Sequence, residues 1–280
     1  MLLALTLVTP DYDTLQEALP LAMEAVAMAG RPVEDTQILG DGAAEILVQG
    51  TDPTMLRAHA DSVLSRLPVD VCAQMAEGRK KQLLIADMDS TIIGCECLDE
   101  LADFAGVKAQ VSAITERAMR GELEFEGALR ERVAMLKGLP TRTLVRTMAA
   151  HGARCVLVSG GFEFFTARVA DAAGFAAHRA NRLLDDGSAL TGQVAEPILG
   201  RAAKLAALNE EAAALGLGLH QTLAVGDGAN DLAMIEAAGL GVAYRAKPIV
   251  AGQADAKIDH TDLRALLYFQ GYGQDAFVTD

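Results

Sequence analysis

Residues 80–96 read KKQLLIADMDSTIIGCE. An apolar run, Leu83 to Ala86, stops at two aspartates, Asp87 and Asp89, with only Met88 between them. A short apolar run that ends this abruptly predicts a buried strand. Side chains at i and i+2 on a strand share a face, so the two carboxylates would project together. Two anions that close repel each other, and each resists losing its water. Either one of them holds a proton or a cation lies between them.

Two later stretches repeat the arrangement. In RCVLVSGGF (residues 154–162) an apolar strand, Cys155 to Val158, ends in Ser159, Gly160 and Gly161. In TLAVGDGAND (222–231) another ends in Gly226-Asp227-Gly228, with Asn230 and Asp231 just beyond. Helical patterns over Phe162–Ala173 and Arg201–Leu215 fall between them, and LGVAY (240–244) and AKIDH (256–260) are further short strand candidates. ANRLLDDGSALTGQVAEP (180–197) alternates around an Asp-Asp-Gly turn and predicts a small hairpin. Short apolar strands alternating with helices predict a Rossmann-like α/β parallel sheet with helices on both faces. Four helical segments between about Cys97 and Ala150 follow the first of these strands directly. That position lies above the carboxyl edge of the sheet, where open α/β sheets bind ligands, so about 95–150 is expected to form a helical cap.

Upstream the rhythm differs. Leu2–Val8 predicts a strand, DTLQEALPLAMEAVAMAG (13–30) an amphipathic helix ended by Gly30, and Val33–Leu39 with Glu45–Gln49 a hairpin about GDGA. Asp52-Pro53 opens a second helix to about Arg66, and Val69–Ala73 is the last strand. The order β-α-β-β-α-β is the ferredoxin-like pattern. The charged segment Ala76–Gln82 reads as a linker, which divides the chain into a small α+β domain, 1–78, and a larger domain, 79–280.

The 280 residues are 51% hydrophobic, enough for a sizeable core, but only 4% aromatic. A net charge of −14 argues against general nucleic-acid binding, which draws most of its affinity from basic patches. Cys72, Cys95, Cys97 and Cys155 are scattered without a disulfide framework or paired zinc spacing, as expected of reduced thiols in a cytoplasmic protein. The apolar start MLLALTLVTPDYD has no basic region or cleavage site and reads as a strand, and no apolar run is long enough to span a bilayer. LYFQG (267–271) looks like part of a protease site, yet it continues a helical pattern and is read as native.

Taken singly these motifs are ordinary. Thr91 could cap a helix, GDGA at 40–43 is a hairpin tip, and a lone Lys204 would be a surface lysine. In order, three of them at the ends of buried strands, they gather two acidic pairs, a hydroxyl and a cation on one edge. Such a set suits a hard, oxygen-loving cation such as Mg²⁺. One carboxylate could then be a nucleophile, and its neighbour two residues on a proton carrier. Ser159, nearby main-chain N–H groups and Lys204 could hold phosphoryl oxygens.

The four motifs resemble those of the haloacid dehalogenase superfamily. ADMDSTIIGCECLDELA (86–102), FEGALRERVAMLKGLP (125–140), LVSGGF (157–162) and VGDGANDLAMIEAAGLGVAY (225–244) are similar to the runs of its phosphoserine phosphatase family, from Leu83 to the end of the chain. Residues 1–78 resemble, by pattern alone, the ACT-type regulatory domain often joined to it. The resemblance implies Mg²⁺-dependent hydrolysis of O-phosphoserine, the last step of serine biosynthesis. It makes Asp87 the nucleophile and Asp89 the acid and base. Mg²⁺ would be held by the Asp87 carboxylate, the Asp89 main-chain carbonyl and Asp227. Ser159, Gly160 and Lys204 would bind the phosphoryl group, Asn230 would touch substrate, and Asp231 would support the metal site or the lysine. In the cap, Glu96 would meet the substrate ammonium and Arg132 its carboxylate, with Met119 and Phe125 closing over the pocket. No nucleic acid or membrane partner is implied; a homodimer through residues 1–78 stays open. So do two other activities: a phosphatase or phosphotransferase of another small phosphomonoester, and a serine sensor with an inactive phosphatase half.

Overall fold

The computed structural model describes residues 1–94, 140–186 and 190–279. Its first unit runs β1 (Leu2–Val8), α1 (Tyr12–Met28), β2 (Val33–Gly40), β3 (Ala43–Gln49), α2 (Pro53–Leu64) and β4 (Asp70–Met75). Both helices start at an aspartate cap: the Asp11 carboxylate accepts from Thr14 N at 2.8 Å, and that of Asp52 from Thr54 N at 2.9 Å, with Pro53 opening the first turn. Leu15, Ala18, Ala22, Ala25 and Val26 of α1 fall at spacings of three and four and are buried, together with Leu56, Ala60 and Leu64 of α2. The strands lie in the order β2-β3-β1-β4, with every pair antiparallel. This is the ferredoxin-like α+β arrangement.

The second unit is built on β5 (Leu83–Ala86), α3 (Pro140–Ala150), β6 (Arg154–Phe162), α4 (Glu163–Ala173), β7 (Ala177–Asn181), β8 (Leu183–Asp185), β9 (Leu190–Val194) and α5 (Arg201–Ala214). It continues through β10 (Thr222–Gly226), α6 (Leu232–Ala237), β11 (Leu240–Tyr244), α7 (Pro248–Ala251), β12 (Ala256–Ile258) and α8 (Ala265–Phe269). Six strands form one parallel sheet in the order β12-β11-β10-β5-β6-β7. The run at 83–86 is apolar throughout because both of its faces are covered. Leu84 and Ala86 join the layer that holds Leu144, Met148, Val169 and Phe269, while Leu83 and Ile85 join Ala207, Leu208, Ile235 and Val250.

Three features differ from the sequence reading. Ala180 and Asn181, read as the start of a hairpin, end β7, a sixth strand on the sheet edge; the hairpin proper is β8–β9. Segment 140–150, grouped with the cap, packs Leu144, Val145 and Met148 into the layer beneath the sheet. The expected linker is not solvated throughout. Lys81 is buried, donating its Nζ to His220 O at 2.9 Å and its main-chain N–H to Gln270 Oε1 at 2.9 Å. Gln270 belongs to the LYFQG run, which is buried against the sheet.

The two units share apolar packing, since Val8, Leu39, Ala43 and Cys72 sit in the same layer as Leu266, Leu267 and Phe269. Arg79 also forms an ion pair with the buried Glu45. Cys72 and Cys155 are free thiols pushed up by burial to about 12, which leaves them protonated and unreactive. Among the described residues no helix is long and apolar enough to cross a membrane.

Candidate active site

The carboxyl ends of β5, β6 and β10 are neighbours, so the three strand-end motifs meet. Asp87 continues β5 by one residue, its N–H donating to Val225 O at 3.0 Å. The chain then turns sharply. Met88 O accepts from the N–H groups of both Ile92 and Ile93, and Ser90 takes a left-handed φ of 58°. A non-glycine residue there costs roughly 1–2 kcal/mol, and such strain persists where the surroundings fix it.

Lys204 reaches the site from the first turn of α5. It is 1% exposed, and its Nζ donates to Asp87 Oδ1 and to Asp231 Oδ1, each at 2.5 Å. Asp231 also accepts the Gly228 N–H through Oδ2 at 3.0 Å. A Cβ on Gly226 would lie 2.5 Å from Asp231 Cγ, so glycine is required there for Asp231 to reach the lysine. Thr91 Oγ1 donates to Asp227 Oδ1 at 3.1 Å. Carboxylate oxygens of Asp87, Asp227 and Asp231 lie within 4.8 Å of one another. One ammonium among three carboxylates leaves a surplus of negative charge, and the donors are hard oxygens. The set fits a divalent cation of the Mg²⁺ type.

Burial pushes the Asp87 carboxyl up to about 7. The Lys204 cation opposes that rise and the Asp231 charge adds to it. Burial also works against the Lys204 ammonium, but the two carboxylates outweigh it and hold its pKa above the ordinary lysine value. Both directions follow from a buried cluster one cation short of neutral.

Ser159, fully buried at the bend of β6, donates its Oγ to Asp89 Oδ2 at 3.1 Å and accepts the Gly161 N–H at 2.8 Å. Any side chain at Gly161 would crowd both groups, since its Cβ would lie 3.1 Å from Ser159 Oγ and 3.4 Å from Asp89 Oδ2. Gly160, within the irregular end of β6, and Asn230, beyond β10, are exposed.

The structure thus brings together Asp87, Asp89, Ser159, Lys204, Asp227 and Asp231. Glu96, Met119, Phe125 and Arg132 lie outside the described residues. Two participants escaped the sequence reading. Thr91 serves Asp227 rather than a helix cap. Asn181, buried at the end of β7, donates Nδ2 to Gly160 O at 2.8 Å and accepts Leu199 N–H at 2.6 Å, bracing the Ser-Gly-Gly turn. A polar residue ending a half-buried strand was its only signal.

Comparison with known proteins places this arrangement. Phosphoserine phosphatase SerB2 of Mycobacterium tuberculosis is 42% identical over 209 residues, 69% of this chain and 51% of that protein; the chain matches about half of that relative's length. The phosphoserine phosphatase of Streptococcus thermophilus is 46% identical over 199 residues, 65% of this chain and 93% of that one. The unliganded crystal structure of a probable phosphoserine phosphatase from Vibrio cholerae superposes with a TM-score of 0.67 at 31% identity, covering 98% of this chain and 88% of that one. The model of the haloacid dehalogenase-like hydrolases matches residues 84–236, more than half of the sequence, and with it the chain belongs to that family.

Proposed function

We propose that this protein is an Mg²⁺-dependent hydrolase of O-phosphoserine, releasing serine and phosphate through a phosphorylated Asp87. The observation that carries the reading is the Lys204 bridge between Asp87 and Asp231 beside the Ser159–Asp89 contact. It supplies a fixed carboxylate nucleophile with a second carboxylate two residues away. The names of the relatives supply the substrate.

In the first step an Asp87 oxygen attacks phosphorus, the bond from phosphorus to the serine oxygen breaks, and Asp89 gives its proton to that oxygen. In the second step Asp89 takes a proton from water as the water attacks the phosphoryl group on Asp87, and phosphate leaves with the carboxylate restored. Ser159 Oγ, the Gly160 N–H and Lys204 hold phosphoryl oxygens, and Lys204 also fixes the rotamer of Asp87. Asn230 lies beside the substrate. The Asp87 carboxylate, the Asp89 main-chain carbonyl and Asp227 would hold Mg²⁺, which would supply the positive charge that a phosphate dianion needs among these carboxylates. Asp231 supports this set through Lys204. Glu96 and Arg132 are proposed to grip the substrate's ammonium and carboxylate, with Met119 and Phe125 over the pocket. Residues 1–78 are proposed as an ACT-like domain beside the catalytic unit, 79–280.

A panel of phosphomonoesters tests the reading. O-phosphoserine should be hydrolysed fastest with Mg²⁺, and chelator should abolish the activity. Equal rates across small phosphomonoesters would assign a broader substrate, and activity that survives chelation would overturn the metal role.

The Asp87 carboxyl gives a second check. Without metal it is protonated below about pH 7, and a protonated carboxyl cannot ligate. Mg²⁺ affinity should therefore rise with pH up to about 7 and level off above it. Calorimetry in buffers of different ionisation enthalpy should find roughly one proton released per ion at pH 6 and almost none at pH 8. Equal release at both values would contradict the assignment.

A further inference from the structure

Asp70 opens β4 in the amino-terminal unit, yet its carboxylate serves the other unit. It is 2% exposed. Oδ1 accepts from Asp259 N at 2.8 Å and His260 N at 3.1 Å, and Oδ2 accepts from Thr261 N at 2.8 Å and Thr261 Oγ1 at 2.5 Å. Three successive main-chain N–H groups after β12 thus form a concave anion site, filled by a side chain 189 residues upstream or more. A buried carboxylate is tolerated only where donors satisfy it, and these do.

Two further links lead from that loop to the acidic cluster. Arg245, just beyond β11, donates its N–H to Ile258 O at 2.9 Å and its Nη2 to Thr261 O at 3.2 Å, and its backbone sits at a left-handed φ of 45°. Two residues on, Lys247 N–H donates to Asp227 O at 3.1 Å. Segment 245–247 is therefore gripped at one end by residues 258–261 and holds the Asp227 main chain at the other. A strained residue such as Arg245 keeps its conformation only while its surroundings fix it.

We propose that Asp70 is a positioning residue through which the amino-terminal unit sets the geometry of Asp227, by way of loop 259–261 and segment 245–247. Loss of the carboxylate takes the shared acceptor from three successive main-chain N–H groups and from the Thr261 hydroxyl. The loop shifts to find other acceptors, Arg245 relaxes, and Lys247 N–H leaves Asp227 O. The proposal rests on the reading of Asp227 as a metal ligand, and its test separates the two.

The test uses the full chain, wild type against Asp70→Ala, Asp70→Asn and Lys247→Pro. Lys247 has φ −60°, which suits proline, so the last variant deletes the single N–H donor with Asp70 intact. Amide exchange in peptides covering 245–248 and 259–261, and titration with Mn²⁺ alone, are the readouts. In Asp70→Ala both segments should exchange at least about tenfold faster while β5 and α5 keep their protection. Mn²⁺ affinity should fall about tenfold, the lower end for outer partners of a metal ligand. Asp70→Asn, which keeps one acceptor oxygen, should fall between; it is also the informative variant if Asp70→Ala does not fold. Lys247→Pro should weaken Mn²⁺ similarly, and the double variant should be no worse than either single one, because both act on one link. Faster exchange confined to 259–261, unchanged Mn²⁺ affinity in Asp70→Ala, or additive losses in the double variant would overturn the proposal. A wild-type protein that bound no Mn²⁺ would sink the metal reading instead, and exchange at 245–248 would then decide the coupling.

Discussion

Asp87→Asn should lose phosphate release by at least about 10⁴-fold, a scale typical of deleting a covalent nucleophile. The amide fills the same space and can still accept from Lys204, so the fold survives. It is a very poor nucleophile, however, and a weaker ligand for a hard cation. The same variant should melt higher than wild type in metal-free buffer, with a definite pH dependence. Burial raises the Asp87 carboxyl from 3.8 to about 7 in the folded protein. Its contribution to stability is therefore fully present below about pH 4 and is lost as pH rises through about 7. The amide cannot ionise and escapes that loss. The gap in melting temperature should be near zero at pH 4 and widest at pH 8. Wild-type phosphate release by a verified Asp87→Asn protein would remove Asp87 from the chemistry. A gap that closed toward high pH would contradict the strained carboxylate.

Asp89→Asn should be slow in both chemical steps, by about 10²–10⁴-fold for O-phosphoserine, the usual range for general acid–base catalysis. The amide can still accept from Ser159, so the contact at 3.1 Å is preserved in kind while the proton is lost. An aryl phosphate, whose leaving group needs no proton, should be spared in the first step and not in the second. Steady-state and burst kinetics on the two esters measure the split. Equal slowing of the first step for both would argue that Asp89 orients the loop and carries no proton.

The part of this architecture that rests on short-range pattern was legible from the sequence. Leu83–Ala86 and Leu223–Val225 are apolar on both faces because both faces are covered, and the polar residues that follow them mark the sheet edge. β7 was obscured because an edge strand is covered less: Ala177 to Ala180 are half-buried and include His178 and Arg179. Lys204 could be placed near phosphate by family resemblance, but its double pairing with Asp87 and Asp231 depends on how α5 docks. Asn181 gave little sign, since an asparagine at a strand end is usually part of a turn. The Asp70 contacts were invisible for a plainer reason. Three of its four donors are main-chain N–H groups, which carry no side-chain identity, and the lone Thr261 hydroxyl is too common a feature to announce them. Lys81 misled in the opposite direction, because a charged run reads as solvated until backbone carbonyls close around it.

The covalent step is the centre of this account, and peptide mass spectrometry of acid-quenched reactions tests it most directly. Asp89→Asn protein mixed with an aryl phosphate and Mg²⁺ forms the intermediate quickly and hydrolyses it slowly, so the phosphorylated form should accumulate. One added phosphoryl group is expected on the peptide that contains Asp87, labile to alkali and absent when chelator is present. Turnover with no phosphorylated peptide under these conditions, or a phosphoryl group on any other residue, would contradict it.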